Sequence, residues 1–211
     1  MNYFGHACVA NWSTDSPAVV LGAMLPDFAA MVRARIASLQ SGRLREGAAL
    51  HQRTDAAFHR LAEFRRLYRD GARALEERGL GRGPARGAAH VGVELLLDGE
   101  LLDQPGAQTA YLDALRAASR PELARAIHWR SPDAARRWVN LLDRLREAGA
   151  PLGYRTPGRV AEGIERALHG RRHLQLDDEA PGRVAGWVGD AQPRVRAAVP
   201  RILAALRAEV T

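Results

Sequence analysis

Apolar residues recur at helical spacing along most of this chain, and this periodicity constrains the fold more than any other feature. Between residues 44 and 77 the apolar positions repeat every three or four residues, as on one face of a helix, with a break predicted near Gly71. The pairs Ser16-Pro17, Ser131-Pro132 and Thr156-Pro157 are each typical of a helix N-cap followed by proline in the first turn. No run of alternating β-branched residues predicts a strand. We therefore expect an all-α fold.

Further helices are predicted along the rest of the chain, and polar or glycine-rich turns at residues 79–84 and 103–106 separate some of them. Loops of this length suit a compact bundle, and no internal repeat or low-complexity linker divides the sequence. We expect residues 1–211 to form one domain, a single-domain helical bundle. The additional predicted helices cover residues 88–102, 108–118, 133–147, 158–172, 183–188 and 201–210.

The charge balance is strongly basic. All 31 basic residues are arginine, and the formal net charge is +7. The absence of lysine is typical of codon usage in a GC-rich genome, but the positive charge still favours acidic partners. The arginines are spread along the chain instead of forming one stripe interleaved with aromatic residues, so nucleic acid is not an expected partner. An acidic protein or a phosphorylated small substrate fits this charge.

Other classes of protein are excluded by simple features of the sequence. The single cysteine, Cys8, rules out an intramolecular disulfide and a cysteine-based zinc site. No apolar run approaches the roughly 20 residues that cross a bilayer, so no membrane span is expected. Residues 1–10 lack the basic segment that opens a secretory signal. We expect a cytoplasmic protein.

Two groups of histidine and acidic residues have the four-residue spacing that places side chains on one face of a helix. Two helices that each present a histidine and a carboxylate are what a metal site in a helical bundle requires. Alternatively, each group is a set of solvated surface pairs, and His59 ends its group in solvent. The two groups are His51, Asp55 and His59, and His90, Glu94 and Asp98.

A further carboxylate, Asp27, lies inside the apolar segment 21–28. A buried carboxylate must be hydrogen-bonded, paired or bound to a cation, because desolvating it alone is too unfavourable. Mixed imidazole and carboxylate ligands suit Mn²⁺, Fe²⁺ or Zn²⁺, and oxygen-rich sets favour manganese or iron. Such a cation would lower the pKa of a bound water. Arg53, close in sequence to His51 and Asp55, could then bind a phosphate through two hydrogen bonds.

Several motifs together resemble the acyl carrier protein phosphodiesterase family. They begin with a Met-Asn-aromatic segment that ends in histidine, and continue with an L-x-D-F element, an H-x-R-x-D motif and a later histidine. The stretch Gly153-Tyr154-Arg155 and a helix ending at Arg171-Arg172 also resemble the C-terminal half of that family. In this chain the first four elements are Met1-Asn2-Tyr3-Phe4-Gly5-His6, Leu25-Pro26-Asp27-Phe28, His51-Gln52-Arg53-Thr54-Asp55 and His90.

The resemblance implies an HD-domain-like helical fold with a divalent metal, manganese first, and iron or zinc as alternatives. It implies hydrolysis of the phosphodiester that joins 4′-phosphopantetheine to a serine of holo acyl carrier protein, an acidic partner. Where the family has an aspartate before its later histidine, this chain has Ala89, and Glu94 one turn further on could replace it. The implied metal ligands are Asp27, His51, Asp55, His90 and His6, and the implied catalytic residues are Asp27, Asp55, Arg53 and Glu94.

Three alternatives stay open at this stage. A catalytically altered relative could act on another phosphodiester. A metal-dependent helical-bundle enzyme of the DinB-like group would keep the metal and change the chemistry. A non-enzymatic helical module could use its arginines to bind an acidic partner, since Ala89 stands where the family has an acid.

Overall fold

A computed structural model describes the backbone of residues 1–210 and the side chains of residues 1–208. Within those residues the secondary structure is almost entirely helical, which confirms the predicted all-α class. The ten α-helices of this described part are α1 Tyr3–Ala10, α2 Pro17–Met31, α3 Gly42–Arg60, α4 Ala62–Glu77, α5 Arg82–Leu101, α6 Ala107–Ala117, α7 Pro121–Ala126, α8 Pro132–Ala148, α9 Pro157–Leu168 and α10 Ala180–Val210, and a short 3₁₀ helix covers Leu152–Arg155.

A small antiparallel sheet corrects the expectation that the chain has no strands. Strand β1, Ile36–Leu39, pairs with β2, Ile127–Trp129, and Leu39 lies opposite Ile127. The pairing is irregular between Ile36 and Ser38. Segments of three or four residues are too short to show the alternating pattern from which a strand is predicted.

Several helix boundaries differ from the prediction. The interruption between α3 and α4 falls at Leu61, whereas Gly71 lies inside α4. Helix α5 begins at Arg82, within the predicted loop, and α9 ends at Leu168, so that Arg171 and Arg172 follow the helix instead of ending it. Helices α1 and α7 were not predicted, because α1 is buried along its whole length and α7 has only six residues. Neither segment shows amphipathic periodicity.

The last helix is continuous where two separate helices were predicted. Helix α10 runs from Ala180 to Val210 with Pro193 and Pro200 inside it. A proline in a helix interior removes one hydrogen bond and destabilises the helix by about 3 kcal/mol. Burial along one face offsets this loss, since a completely buried residue recurs every three to seven positions. These residues are Val184, Val188, Val195, Ala198, Ile202 and Leu206.

The chain divides into two compact units. Unit 1 contains Met1, Ala56–Glu100 and the chain from Leu152 onward, whereas unit 2 contains Asn2–Asp55 and Leu101–Pro151. Helix α3 contributes to both units. The core of unit 2 is built where α1, α2 and α6 pack on one another. Its aromatic centre comprises Tyr3, Phe4, Phe28 and Tyr111.

The core of unit 1 is organised around Trp187 of α10. A Cβ atom at Gly71 of α4 would lie 2.8 Å from this indole ring, and one at Gly92 of α5 would lie 2.5 Å from it. The Trp187 ring therefore packs directly against the backbone at these two glycines. Gly71 serves this packing inside α4 and does not end the helix. No helix among residues 1–210 combines the length and the apolarity needed to span a membrane.

Candidate metal centres

A close crossing of α2 and α3 positions the first cluster, which lies in unit 2. A Cβ atom at Gly22 would lie 2.4 Å from the carbonyl oxygen of Leu44, and one at Gly47 would lie 2.0 Å from that of Val19. The two helix backbones therefore touch, and only glycine permits such an approach. Because Gly47 lies one turn before His51, the crossing brings the His51 side chain against α2.

The imidazole of His51 is held by the backbone of α2. Its Nδ1 atom lies 2.9 Å from the carbonyl oxygen of Ala23. A carbonyl oxygen only accepts hydrogen bonds, so Nδ1 of His51 carries the proton and donates it. Nε2 of His51 therefore keeps its lone pair.

The same reasoning fixes the protonation of His6, which is buried on α1. Its Nδ1 atom lies 3.1 Å from Oγ1 of Thr54, and that hydroxyl donates its single proton to the carbonyl oxygen of His51, also at 3.1 Å. Nδ1 of His6 must therefore donate to Oγ1. Within the described residues, Nε2 of His6 is buried and makes no hydrogen bond. It is an acceptor that a cation would satisfy.

Three ligand groups converge at this point. The ring centroids of His6 and His51 lie 3.9 Å apart. One ligand atom each from His6, Asp27 and His51 lies within 4.8 Å of the other two. Nε2 of His6 also lies 3.7 Å from Oδ1 of Asp55, too far for a hydrogen bond. Two imidazoles and a carboxylate this close together are the donor types of a divalent metal site.

The environment keeps both imidazoles in the neutral form that binds metals. Burial lowers the pKa of His6 to about 3, and this effect outweighs the nearby Asp55, which raises it. Burial also lowers the pKa of His51, against the opposing effects of Ala23 and Asp55. At neutral pH neither ring carries a charge, so a metal would not have to displace a proton.

A second cluster lies in unit 1. Nε2 of His90 and Nε2 of His59 lie 3.2 Å and 3.5 Å from Oε1 of Glu94, and the Met1 nitrogen lies 3.3 Å from the same oxygen. Each of the three side chains offers one ligand atom within 4.8 Å of the others. Burial alone would raise the pKa of Glu94, but the Met1 ammonium group and the two histidines lower it to about 2. The carboxylate is therefore ionised.

The predicted site residues are divided between these clusters. The structure brings His6, Asp27 and His51 together, with Asp55 beside His6, and Arg53 is exposed on α3. His90 and Glu94 lie in the cluster that contains His59. The assignment of His90 to the same cation as Asp27, and of a catalytic role to Glu94, stays a prediction.

Sequence reasoning missed two participants. It did not assign a role to Thr54, although a threonine three residues after His51 on a helix is a signal for a hydrogen bond to the His51 carbonyl oxygen. One of the alternatives from the sequence has His59 in solvent. In the structure, the His59 imidazole lies against Glu94 and His90. Asp98, also part of the predicted groups, is completely buried on α5.

Comparison with known proteins adds no relative to this site: no family model, no curated protein and no solved structure matches this chain.

Proposed function

We propose that this protein is a divalent-metal-dependent phosphodiesterase with an activity similar to that of acyl carrier protein phosphodiesterases. The observation that carries the proposal is the convergence of His6, His51 and Asp27, with the Nδ1 atoms of both imidazoles hydrogen-bonded to Thr54 and Ala23. Such outer hydrogen bonds orient metal-binding histidines in proteins. The motifs that contain these residues are those that resemble the family.

The donor set favours manganese, with iron or zinc as alternatives. The converging set contains two imidazoles and Asp27, and Asp55, whose side chain is 37% exposed and lies beside His6, would add a second carboxylate. A set with two carboxylates is richer in oxygen than a typical zinc site and suits Mn²⁺ or Fe²⁺. When bound, a divalent cation supplies a hydroxide near neutral pH and neutralises charge that develops on a phosphoryl oxygen.

In this proposal, residues of the chain orient the two imidazoles, accept a proton and bind the phosphate. Thr54 and the carbonyl oxygen of Ala23 hold the two rings in place through their Nδ1 atoms. Asp55 reaches solvent and is placed to accept the proton of the attacking water. Arg53, exposed one residue before Thr54, is placed to bind a phosphate oxygen.

The surface of unit 2 supports an acidic partner. An open groove of about 880 Å³ is lined by Arg33, Arg137 and Arg144, together with the exposed Met31 at the end of α2. Met31 lies one helical turn after Asp27 on the same helix. A cluster of arginines attracts an acidic protein and accelerates its encounter with the site.

The direct test is incubation of the metal-free protein, reloaded with Mn²⁺, with holo acyl carrier protein. Mass spectrometry reports loss of the phosphopantetheine arm, and hydrolysis of bis(4-nitrophenyl) phosphate reports general phosphodiesterase activity. We expect both activities to depend on metal and to fall at least 100-fold in Asp27→Asn.

The control is Asp113→Asn, which changes a half-exposed aspartate of the same unit whose ion pair is with Arg116. This variant should retain full activity. If the protein hydrolyses bis(4-nitrophenyl) phosphate but does not release phosphopantetheine, it is a phosphodiesterase whose substrate is not holo acyl carrier protein. Failure of the metal-loaded protein to cleave either compound would overturn the proposal, and would leave the DinB-like enzyme and the binding module as the alternatives.

A further inference from the structure

The second cluster has the geometry of a metal site in its own right. Oε1 of Glu94 lies 3.2 Å from Nε2 of His90 and 3.5 Å from Nε2 of His59. Ligand atoms about 2.0–2.1 Å from a tetrahedral zinc ion are separated by about 3.3 Å. Both measured separations are close to this value. The two imidazole nitrogens therefore lie as far from the carboxylate oxygen as the ligand atoms of one shared cation lie from each other.

The orientation of the two rings is fixed before any cation binds. The rings of His59 and His90 are stacked, with centroids 5.0 Å apart and planes inclined by 20°. The ring of Phe64 packs edge-on against both of them, at 4.8 Å and 5.5 Å. Tyr68 packs edge-on against His90 at 5.8 Å. Such packing limits the rotamers of the ligands and preorganises the site.

The cluster is also open to solvent. The His59 and His90 side chains are 30% and 42% exposed, whereas the Glu94 side chain is 14% exposed. A cation therefore has an entry path, and at least one coordination position would face water. The ionised carboxylate and two imidazoles make a set of one oxygen and two nitrogen donors, which suits a borderline divalent cation.

We propose that His59, His90 and Glu94 form a second metal site that binds Zn²⁺. It joins the C-terminal end of α3 to α5 within unit 1. The site does not depend on the proposed phosphodiesterase activity. Two imidazole nitrogens and one carboxylate oxygen form a nitrogen-rich donor set, and this composition suits zinc.

The test is the zinc stoichiometry of the full-length protein, stripped with a chelator and titrated with Zn²⁺ in a calorimeter. We expect one equivalent to be retained in His51→Asn, which removes a ligand from the other cluster. We expect His90→Ala to lose one equivalent relative to wild type, and Glu94→Gln to do the same with less change of shape. His173→Ala, at an exposed turn outside both clusters, should bind as wild type does.

A second readout separates binding from misfolding. In the His51→Asn background, Zn²⁺ should raise the melting temperature, because a ligand that binds only the native state stabilises it. Adding His90→Ala should abolish this shift while the metal-free melting temperature changes little, since His90 is substantially exposed. The inference is overturned if His90→Ala and Glu94→Gln bind as much zinc as wild type. Failure of His51→Asn to retain one equivalent would also overturn it, because His59, His90 and Glu94 would then not bind zinc on their own.

Discussion

The ring centroids of His6 and His51 lie 3.9 Å apart, although one residue belongs to α1 and the other to α3. Two imidazoles at this distance in a buried setting cannot both be protonated without strong repulsion. Burial and the neighbouring ring lower the pKa of His6 to about 3. The pair is therefore neutral at physiological pH, and this has a measurable consequence for stability.

The metal-free protein should lose stability as the pH falls below 6.5. The unfolded chain protonates His6 near its ordinary pKa, 6.5, whereas the native state does so near 3. Between those values His6 contributes a slope of up to about 1.4 kcal/mol per pH unit. The His6→Asn variant keeps a donor for Thr54 and should lose that slope. Urea unfolding at several pH values measures it, and equal slopes in both proteins would contradict the assignment.

Thr54 should act on metal affinity through His6. The Thr54→Val variant removes the acceptor of the Nδ1 proton, and we expect Mn²⁺ affinity to fall about 10- to 100-fold, as is usual when a partner of a ligating histidine is lost. The Thr54→Ser variant keeps the hydroxyl and should bind with nearly native affinity. Calorimetric titration of the three proteins provides the comparison. Equal affinity in the valine and serine variants would show that the hydroxyl does not orient His6.

The crossing of α2 and α3 should not tolerate a methyl group. The Gly47→Ala variant places a Cβ atom 2.0 Å from the Val19 carbonyl oxygen, and we expect a loss of at least about 1–3 kcal/mol in the free energy of unfolding. The matched control is Gly186→Ala in α10, where nothing lies within 4 Å of the new Cβ atom. This control should gain about 0.5–1 kcal/mol. Chemical denaturation tests both signs.

Charge reversal in the arginine groove should affect only a macromolecular substrate. For Arg144→Glu we expect the KM for holo acyl carrier protein to rise several-fold, most strongly at low salt, because the encounter is electrostatic. Hydrolysis of bis(4-nitrophenyl) phosphate should be unchanged. Arg171→Glu, an exposed arginine of unit 1, is the control. If both arginine variants behave alike, the groove does not recognise the partner.

Helical periodicity predicted most of the fold, and its failures have identifiable physical causes. Gly71 lies inside a helix because the Trp187 ring packs against it, but the sequence alone does not distinguish such a glycine from one that ends a helix. Pro193 and Pro200 suggest a boundary, but the continuous buried face of α10 outweighs them. Fully buried α1 lacks the polar face on which periodicity depends.

The candidate site was predictable in its residue types but not in its grouping. The four-residue spacing of His51, Asp55 and His59 correctly places them along α3. However, the spacing cannot show that His51 turns towards Ala23 while His59 turns towards Glu94. Those directions follow from helix packing at Gly22 and Gly47 and from the aromatic contacts of Phe64. Such tertiary contacts leave no local pattern in the sequence.

A crystal structure of the manganese-loaded protein, with anomalous data collected near the manganese edge, tests the first metal centre most directly. We expect an anomalous peak about 2.0–2.3 Å from Nε2 of His6, from Nε2 of His51 and from a carboxylate oxygen of Asp27. If a fully loaded crystal shows no anomalous peak between these three side chains, they do not form a metal centre, and the proposed metal-dependent phosphodiesterase activity is contradicted.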